Sequence, residues 1–381
     1  MLKIIFLLTP VYVTLFWSIV LHTNPRQQTA QRYFLSHFMM IAFIVYVSHY
    51  LFFTPLPEIY ILLDPFYQFA SLLVFPVYHI YFRLLTVDSG FTLKKHWIYL
   101  LLPTLLFLMY CFGVFFSDKT EYENWVFNRN LRFTSDSLGY LRIIHLMMRL
   151  VFILQVLVSI YLNFKLINKY GYKAQQYYSD IEDISTKRVN KLNASMLITG
   201  VASLIYAALG RHYFEDNLTV IGLASLIFSS MLFIIGWLGD QQKALNPTFE
   251  SAKEINKEEP LFSELTKSSQ LTIINKLTEL FEDKKIYLDS KLNIVEVAAR
   301  IGTNRTYIST LINQLFNQNF CTYVNQFRVN ELEKKILQFP ELSNPELAKK
   351  CGFGSVDSMK RAIFTKTGKS LQVWRNEIKV S

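Results

Sequence analysis

The sequence predicts an all-α protein with a bundle of seven transmembrane helices followed by a soluble domain of seven helices. Of the 381 residues, 51% are hydrophobic and only 18% are charged, whereas soluble globular chains carry about 25% charged residues. The apolar excess lies in residues 1–240, and the remainder of the chain is polar with short amphipathic repeats. We therefore expect a transmembrane domain over 1–240, a linker over 241–265 and a soluble domain over 266–381.

Seven segments of the first 240 residues are apolar over about 20 residues, the length needed to cross a bilayer. The first segment follows Met1-Leu2-Lys3 and is not followed by a small-residue cleavage site, so we expect it to be retained as a span. The predicted spans are Ile4–Leu21, Tyr33–Phe53, Phe66–Leu85, Trp97–Phe116, Ile143–Phe164, Ala194–Leu209 and Leu218–Leu238.

The loops between these spans differ in basic residues, which predicts the orientation of the chain. One set of loops holds eleven Lys and Arg residues when Arg83, at the inner end of the third span, is included. The opposite set holds four when Arg142, at the entry to the fifth span, is left out: Lys119, Arg129, Arg132 and Arg211. Because loops rich in Lys and Arg stay in the cytoplasm, the first set is predicted to be cytoplasmic. The N-terminus is then outside, and seven crossings leave the C-terminal domain in the cytoplasm of a bacterial cell, anchored to its inner membrane.

Five ionisable residues fall in the outer half of the predicted bundle, where such side chains are candidates for function. They are His49, Asp64, Arg142, His145 and Arg149. The last three repeat at helical spacing, and Arg149 would lie about 10 Å deeper than Arg142. Asp64 is the expected acidic partner of Arg149. The cluster is interpreted either as a structural pair that holds the bundle or as a pocket that senses a small molecule, a lipid or a proton.

Residues 293–316 have the pattern of a helix-turn-helix motif. Small residues at 298 and 299 allow two helices to cross closely, Gly302 suits the turn, and Asn304 is a good N-cap for a second helix, Arg305 to about Phe316. The predicted buried stripe of this helix is Ile308, Leu311, Ile312 and Leu315. The residues left on its outer face, suited to contact bases or phosphates, are Arg305, Thr306, Ser309, Thr310 and Asn313.

The same pattern returns at residues 344–367, after a long helix predicted over 320–338. Ala348 is the small residue, Gly352 forms the turn, and Ser355 caps a second recognition helix of about Val356 to Lys366. The candidate DNA-binding residues of this second motif are Ser355, Ser358, Lys360 and Arg361.

Residues 284–375 resemble the AraC/XylS-type regulators. Residues 323–329, with the sequence YVNQFRV, resemble the linker-helix signature of that family, and the residues in register with the signature of its second motif are Ala348, Gly352, Phe353, Arg361, Gly368, Trp374 and Arg375. The resemblance implies that both motifs enter successive major-groove segments on one face of double-stranded DNA. It also implies that Thr306, Ser309 and Thr310, then Ser358, Arg361 and Ala362, lie nearest the bases. A homodimer is a further expectation from the resemblance.

Charge and composition agree with a DNA-binding tail in a reduced compartment. Residues 261–381 hold 18 Lys and Arg against 12 Asp and Glu, which suits a polyanionic partner. The chain has three Cys residues, too few for a disulfide framework. No segment has the spacing of a catalytic, cofactor or metal motif, so we expect no enzyme activity, cofactor or metal.

These observations predict a membrane-bound regulator whose bundle senses a signal. Two other interpretations stay open. The bundle could be a transporter or membrane enzyme whose tail regulates its own production, or the tail could be a protein-interaction module.

Overall fold

The three-dimensional structure, a computed structural model, separates into two compact units. The first consists of Met1–Ile167 with Asn190–Pro247, and the second of Asn168–Val189 with Thr248–Ser381. The described residues form helices and contain no strand. The structure describes residues 1–23, 29–54, 56–86, 88, 90–127, 136–180, 186–210, 212–215, 217–241 and 267–380.

Seven long apolar helices dominate residues 1–240, with mean hydropathy between 1.4 and 2.4 over their most apolar windows. They are α1 (Leu2–Thr23), α2 (Ala30–Phe52), α3 (Pro57–Thr86), α4 (Leu93–Phe115), α6 (Asp136–Tyr177), α7 (Thr186–Leu209) and α9 (Leu218–Asp240). Two short helices are α5 (Lys119–Phe127) and α8 (His212–Glu215). The all-α class and the seven long apolar helices are confirmed.

The first unit exposes many large apolar side chains and also buries several polar ones. Leu101, Leu105 and Phe112 of α4 are exposed, at 49%, 50% and 60% of their surface. In the interior, Asp64 and His79 are buried, and His79 Nδ1 lies 2.6 Å from Asn163 Oδ1. A large exposed apolar surface is unfavourable in water and favourable in hydrocarbon, so this distribution suits a helix bundle in a bilayer.

The helices that extend furthest beyond the spans predicted from hydropathy are α3 and α6. Helix α3 begins at Pro57, since proline is well tolerated at the first helical position. It continues through Pro65, as helices packed in a membrane bundle can, and Asp64 therefore lies inside the helix. Helix α6 continues past Phe164 to Tyr177, because its polar C-terminal residues are compatible with helix but lower the hydropathy.

The second unit contains seven α-helices over residues 267–380. They are α10 (Lys267–Glu282), α11 (Ile294–Ile301), α12 (Arg305–Phe316), α13 (Phe320–Gln338), α14 (Asn344–Lys350), α15 (Val356–Thr367) and α16 (Leu371–Val380), with a short 3-10 helix, Ile286–Leu288. Of the predicted linker, residues 242–265 lie outside the described residues.

Helix α13 joins two hydrophobic cores in this unit. Its Tyr323 and Val324 pack in the first core, with residues of α10 to α12. Its Val329, Leu332 and Ile336 pack in the second core, with residues of α14 to α16. Each helix-turn-helix motif therefore has its own core, and α13 carries the connection between them.

The predicted buried stripe of α12 is wrong at one position. Ile308, Leu311 and Ile312 are fully buried in the first core, but Leu315 is 54% exposed. Leu315 lies in the last turn of α12, beyond the part of the helix that the core covers, so helical spacing alone did not predict its exposure.

Candidate nucleic-acid interface and buried cavity

Local hydrogen bonds place α12, the second helix of the first motif. Gly302 ends α11 in the left-handed conformation, with φ +80°, which suits a residue without Cβ. Asn304 then begins α12, because its Oδ1 accepts the N–H of Tyr307 at 2.9 Å. With one face of α12 buried, the candidate DNA-binding residues Arg305, Thr306, Ser309, Thr310 and Asn313 are half-buried or exposed on the remaining surface.

The second motif uses the same devices. Ser343 and Glu346 form a capping box at the start of α14, with Glu346 Oε2 accepting the Ser343 N–H at 2.9 Å. Gly352 forms the turn with φ +79°, and Ser355 Oγ accepts the Ser358 N–H at 3.1 Å to begin α15. Lys360 and Arg361 are exposed on this helix.

Ser358 and Ala362, which the family resemblance places nearest the bases, are nearly buried in the second motif. Ser358 is 8% exposed, and its hydroxyl donates to the Ser355 carbonyl at 2.9 Å and accepts the Ser355 N–H at 3.2 Å. Ala362 is 7% exposed and packs in the second core. Ser358 therefore closes the N-terminal cap of α15, and Lys360 and Arg361 are the exposed candidate contacts of this helix.

A fully buried arginine lies on α13 between the two cores, and sequence reasoning missed its importance. The five N–H groups of Arg328 all have acceptors: the Tyr287 carbonyl at 2.7 Å, the Asp289 carbonyl at 2.8 Å, the Ser179 carbonyl at 3.1 Å, Ser179 Oγ at 2.9 Å and Asn325 Oδ1 at 3.3 Å. Burial lowers the pKa of Arg328 to about 10, against the opposing charge of Asp180. The guanidinium is therefore still charged at neutral pH.

A second buried charge on α13, Glu331, is also satisfied. Its Oε2 lies 3.1 Å from Lys285 Nζ and accepts the Tyr287 hydroxyl at 3.3 Å. Burial would raise the pKa of Glu331, but these two partners and Lys335 hold it below its usual value. The available sequence signal was spacing, because Arg328 and Glu331 follow Val324 at the intervals of the buried helix face.

The first unit encloses a cavity of about 630 Å³, a size typical of small-molecule sites. Most of its wall is apolar, and the aromatic residues include Phe38, Phe52, Phe75, Phe152 and Phe228. Of the five predicted sensor residues, His49, Asp64, His145 and Arg149 line the cavity, and Arg142 is not among the lining residues.

Asp64 is held by tyrosines and not by the expected arginine. Its carboxylate accepts hydrogen bonds from the hydroxyls of Tyr60 at 2.7 Å, Tyr110 at 2.6 Å and Tyr122 at 2.7 Å. Gln68 Nε2 donates a fourth, at 3.3 Å. The predicted pairing of Asp64 with Arg149 is therefore wrong, because neutral donors already surround the carboxylate.

The remaining cavity-lining ionisable groups have weaker contacts. Arg149 Nη2 donates to the Ala207 carbonyl, and no carboxylate among the described residues lies within ion-pair distance of it. His49 Nε2 lies 3.3 Å from the Tyr67 hydroxyl, and the His145 ring meets the Trp125 ring edge to face. No group of three or more His, Cys, Asp or Glu in the described part of the chain could hold a metal ion.

Residues 297–377 match the family model of a helix-turn-helix domain of the AraC type. No curated protein and no solved structure matches the chain. The matched residues contain nearly all of both motifs and the whole of α13. The chain thus contains an AraC-type helix-turn-helix domain, which is a DNA-binding domain of transcription regulators, preceded by seven helices compatible with a membrane.

The two turn glycines predict different sensitivities to substitution. Both have positive φ, where a Cβ costs about 1–2 kcal/mol. A Cβ at Gly302 would meet open space, but one at Gly352 would lie 2.5 Å from the Tyr287 carbonyl oxygen. Gly352→Ala should therefore lower the free energy of unfolding of the second unit more than Gly302→Ala, as measured by pulse proteolysis of the full chain in nanodiscs. Equal losses would contradict this close approach.

Proposed function

We propose that the chain is a membrane-bound one-component transcription regulator, with the bundle as sensor and the C-terminal domain as sequence-specific DNA-binding module. The observation that carries the proposal is the helix-turn-helix match at residues 297–377 in a chain that also has seven candidate membrane spans. One-component control needs no separate kinase or messenger, because signal and output domains share one polypeptide.

The DNA contacts we propose are the outer face of α12 and the exposed cations of α15. Arg305, Thr306, Ser309, Thr310 and Asn313 would face one major-groove segment, with Lys360 and Arg361 facing the next, about 34 Å along the duplex. Arg361 can pair with both acceptors of a guanine, while Arg305 and Lys360 suit phosphates. Ser355 contributes by capping α15, whose N-terminus favours an anion.

We further propose the orientation that the loop charges predict, with the N-terminus outside and the C-terminal domain in the cytoplasm of a bacterial cell. The eleven basic residues of one loop set against four of the other support it. DNA binding also requires the C-terminal domain to lie on the cytoplasmic side of the inner membrane. The charge count is independent of the DNA-binding assignment, so the two arguments support each other.

The cavity is the sensor site in this proposal, and its chemistry fits an amphiphilic acid. The negative charge of Asp64 is already stabilised by three tyrosine hydroxyls and Gln68. The positive charge of Arg149 has a backbone carbonyl as its partner. A ligand with an apolar body and one carboxylate or phosphate would bury its body against the aromatic wall and place its anion at Arg149.

The DNA-binding assignment predicts loss of promoter occupancy when two cations are removed. Arg305→Ala combined with Arg361→Ala should lower occupancy in chromatin immunoprecipitation at least tenfold, because the guanine contact proposed for Arg361 is worth about 1–3 kcal/mol and the loss of the phosphate contact proposed for Arg305 weakens binding further. The control is Lys284→Ala with Lys369→Ala, which removes the same charge at exposed positions that pair with Glu279 and Glu377. Equal occupancy in the two double variants would contradict the assigned surface.

The sensor assignment predicts selective stabilisation by a carboxylate. Octanoate at about a hundredfold over its Kd should raise the thermal midpoint of the full chain in nanodiscs by about 5 °C. Octanol and octylamine should raise the thermal midpoint less than octanoate does. In Arg149→Gln the three compounds should have equal effects. Arg142→Gln, which changes a cation on the same helix outside the cavity, should preserve it. An unchanged octanoate effect in Arg149→Gln would contradict the proposal.

A further inference from the structure

Residues 168–189, which follow the predicted fifth span, belong to the second unit and not to the first, and six of the described ones, 175–180, contact the helix-turn-helix region. Residues 175–180 are the last three residues of α6 and the three that follow it. They contain two glutamines and one aspartate among tyrosine and serine. Sequence reasoning assigned them only to a cytoplasmic loop.

The middle of this segment is fixed firmly to the second unit. Tyr177 is 3% exposed and packs in the first core. Tyr178 pairs with Asn293 in an antiparallel bridge, and the Ser179 N–H donates to the Leu292 carbonyl at 3.0 Å. These contacts lie at the N-terminus of α11, the first helix of the first motif.

The beginning of the segment reaches the proposed DNA-reading face of α12. Gln176 Oε1 accepts from Ser309 Oγ at 3.5 Å and from Asn313 Nδ2 at 3.5 Å. The neighbouring Gln175 Oε1 accepts from Asn319 Nδ2 at 3.2 Å, at the N-cap of α13. The amide oxygen of Gln176 thus lies against two donors that a base edge or phosphate oxygen would use, at the outer limit of hydrogen-bond distance.

The end of the segment reaches the second motif. Asp180 Oδ2 accepts the Gly354 N–H at 2.8 Å, and Asp180 is 5% exposed. Gly354 directly precedes the N-cap of α15, a helix of 12 residues. The N-terminus of α15 would attract a phosphate of DNA. The Asp180 carboxylate occupies this position, and its negative charge would repel the phosphate.

We propose that residues 175–180 compete with DNA for the reading surface, so that the covered chain is autoinhibited and DNA binds only after the segment is released. The inference rests on the proposed function, since it uses the same DNA-reading residues. Two independent contacts support it. The Gln176 amide lies against the first recognition helix, α12, and the Asp180 carboxylate binds at the start of the second, α15.

Release of residues 175–180 should leave the rest of the domain folded. Arg328 would lose Ser179 but keep the carbonyls of Tyr287 and Asp289 and the side chain of Asn325 as acceptors. The two cores are otherwise built from residues 277–378. The DNA affinity of the chain then equals the intrinsic affinity multiplied by the fraction of molecules that are uncovered.

The first test weakens the covering contacts without touching a proposed DNA contact. Gln176→Ala with Asp180→Asn should strengthen binding of the full chain in nanodiscs to sheared genomic DNA of the source organism about tenfold. The control, Gln338→Ala with Asp283→Asn, makes the same chemical changes at exposed positions and should leave binding unchanged. Equal affinity of the release variant and the wild type would overturn the inference.

The second test locks the segment in place. A disulfide between cysteines introduced by Gln176→Cys and Asn313→Cys should weaken DNA binding at least tenfold, and reduction with dithiothreitol should restore it. The oxidised and reduced forms have the same sequence, so any effect of replacing Asn313 on DNA binding is the same in both and does not enter the comparison. A pair that does not crosslink, or that binds DNA equally in both states, would contradict the covering contact.

The two tests also separate this inference from the proposed function. If no variant binds DNA in a salt-dependent way, both fall. If wild type and release variant bind equally while Arg305→Ala with Arg361→Ala binds weakly, the DNA-binding function stands and only the autoinhibition is excluded.

Discussion

The second unit depends on the buried guanidinium of Arg328. It lies on α13 where one hydrophobic core ends and the other begins, and its five donors bind carbonyl and side-chain oxygens that no apolar residue could satisfy. Removing this guanidinium would leave several buried carbonyl and side-chain oxygens without hydrogen bonds, which is strongly destabilising. The charge therefore fixes α13 against the chain around Tyr287 and Asp289, and α13 in turn fixes the spacing of the two recognition helices.

The same guanidinium contacts residues of the segment that lies against the proposed DNA-reading surface. Two of its five hydrogen bonds go to Ser179, one residue before the carboxylate that binds Gly354. Helix α6 carries His145 and Arg149 of the cavity near its beginning and Gln176 near its end. One continuous helix therefore joins the proposed ligand site to the proposed covering segment. In this account, a signal at the cavity acts by changing how often residues 175–180 leave the surface.

Features that depend on local sequence were predictable, and features that depend on distant contacts were not. Gly302, Asn304, Gly352 and Ser355 fix turns and caps through neighbours in sequence, so the helix limits of both motifs followed from the residues. Length and hydropathy were sufficient for the seven apolar helices. The tyrosines that surround Asp64 include Tyr110 and Tyr122 from other helices, which no spacing rule brings to α3. Residues 175–180 are polar and follow a span, a pattern typical of a loop, so their burial against the second unit left no sequence signal.

The most direct measurement of the central claim is hydrogen exchange in the full chain in nanodiscs, with and without bound genomic DNA. We expect DNA to slow exchange in α12 and α15 and to speed exchange in residues 175–180, where the Ser179 N–H loses its bond to the Leu292 carbonyl. Slower exchange in α12 and α15 with unchanged protection of residues 175–180 would contradict competition between the segment and DNA.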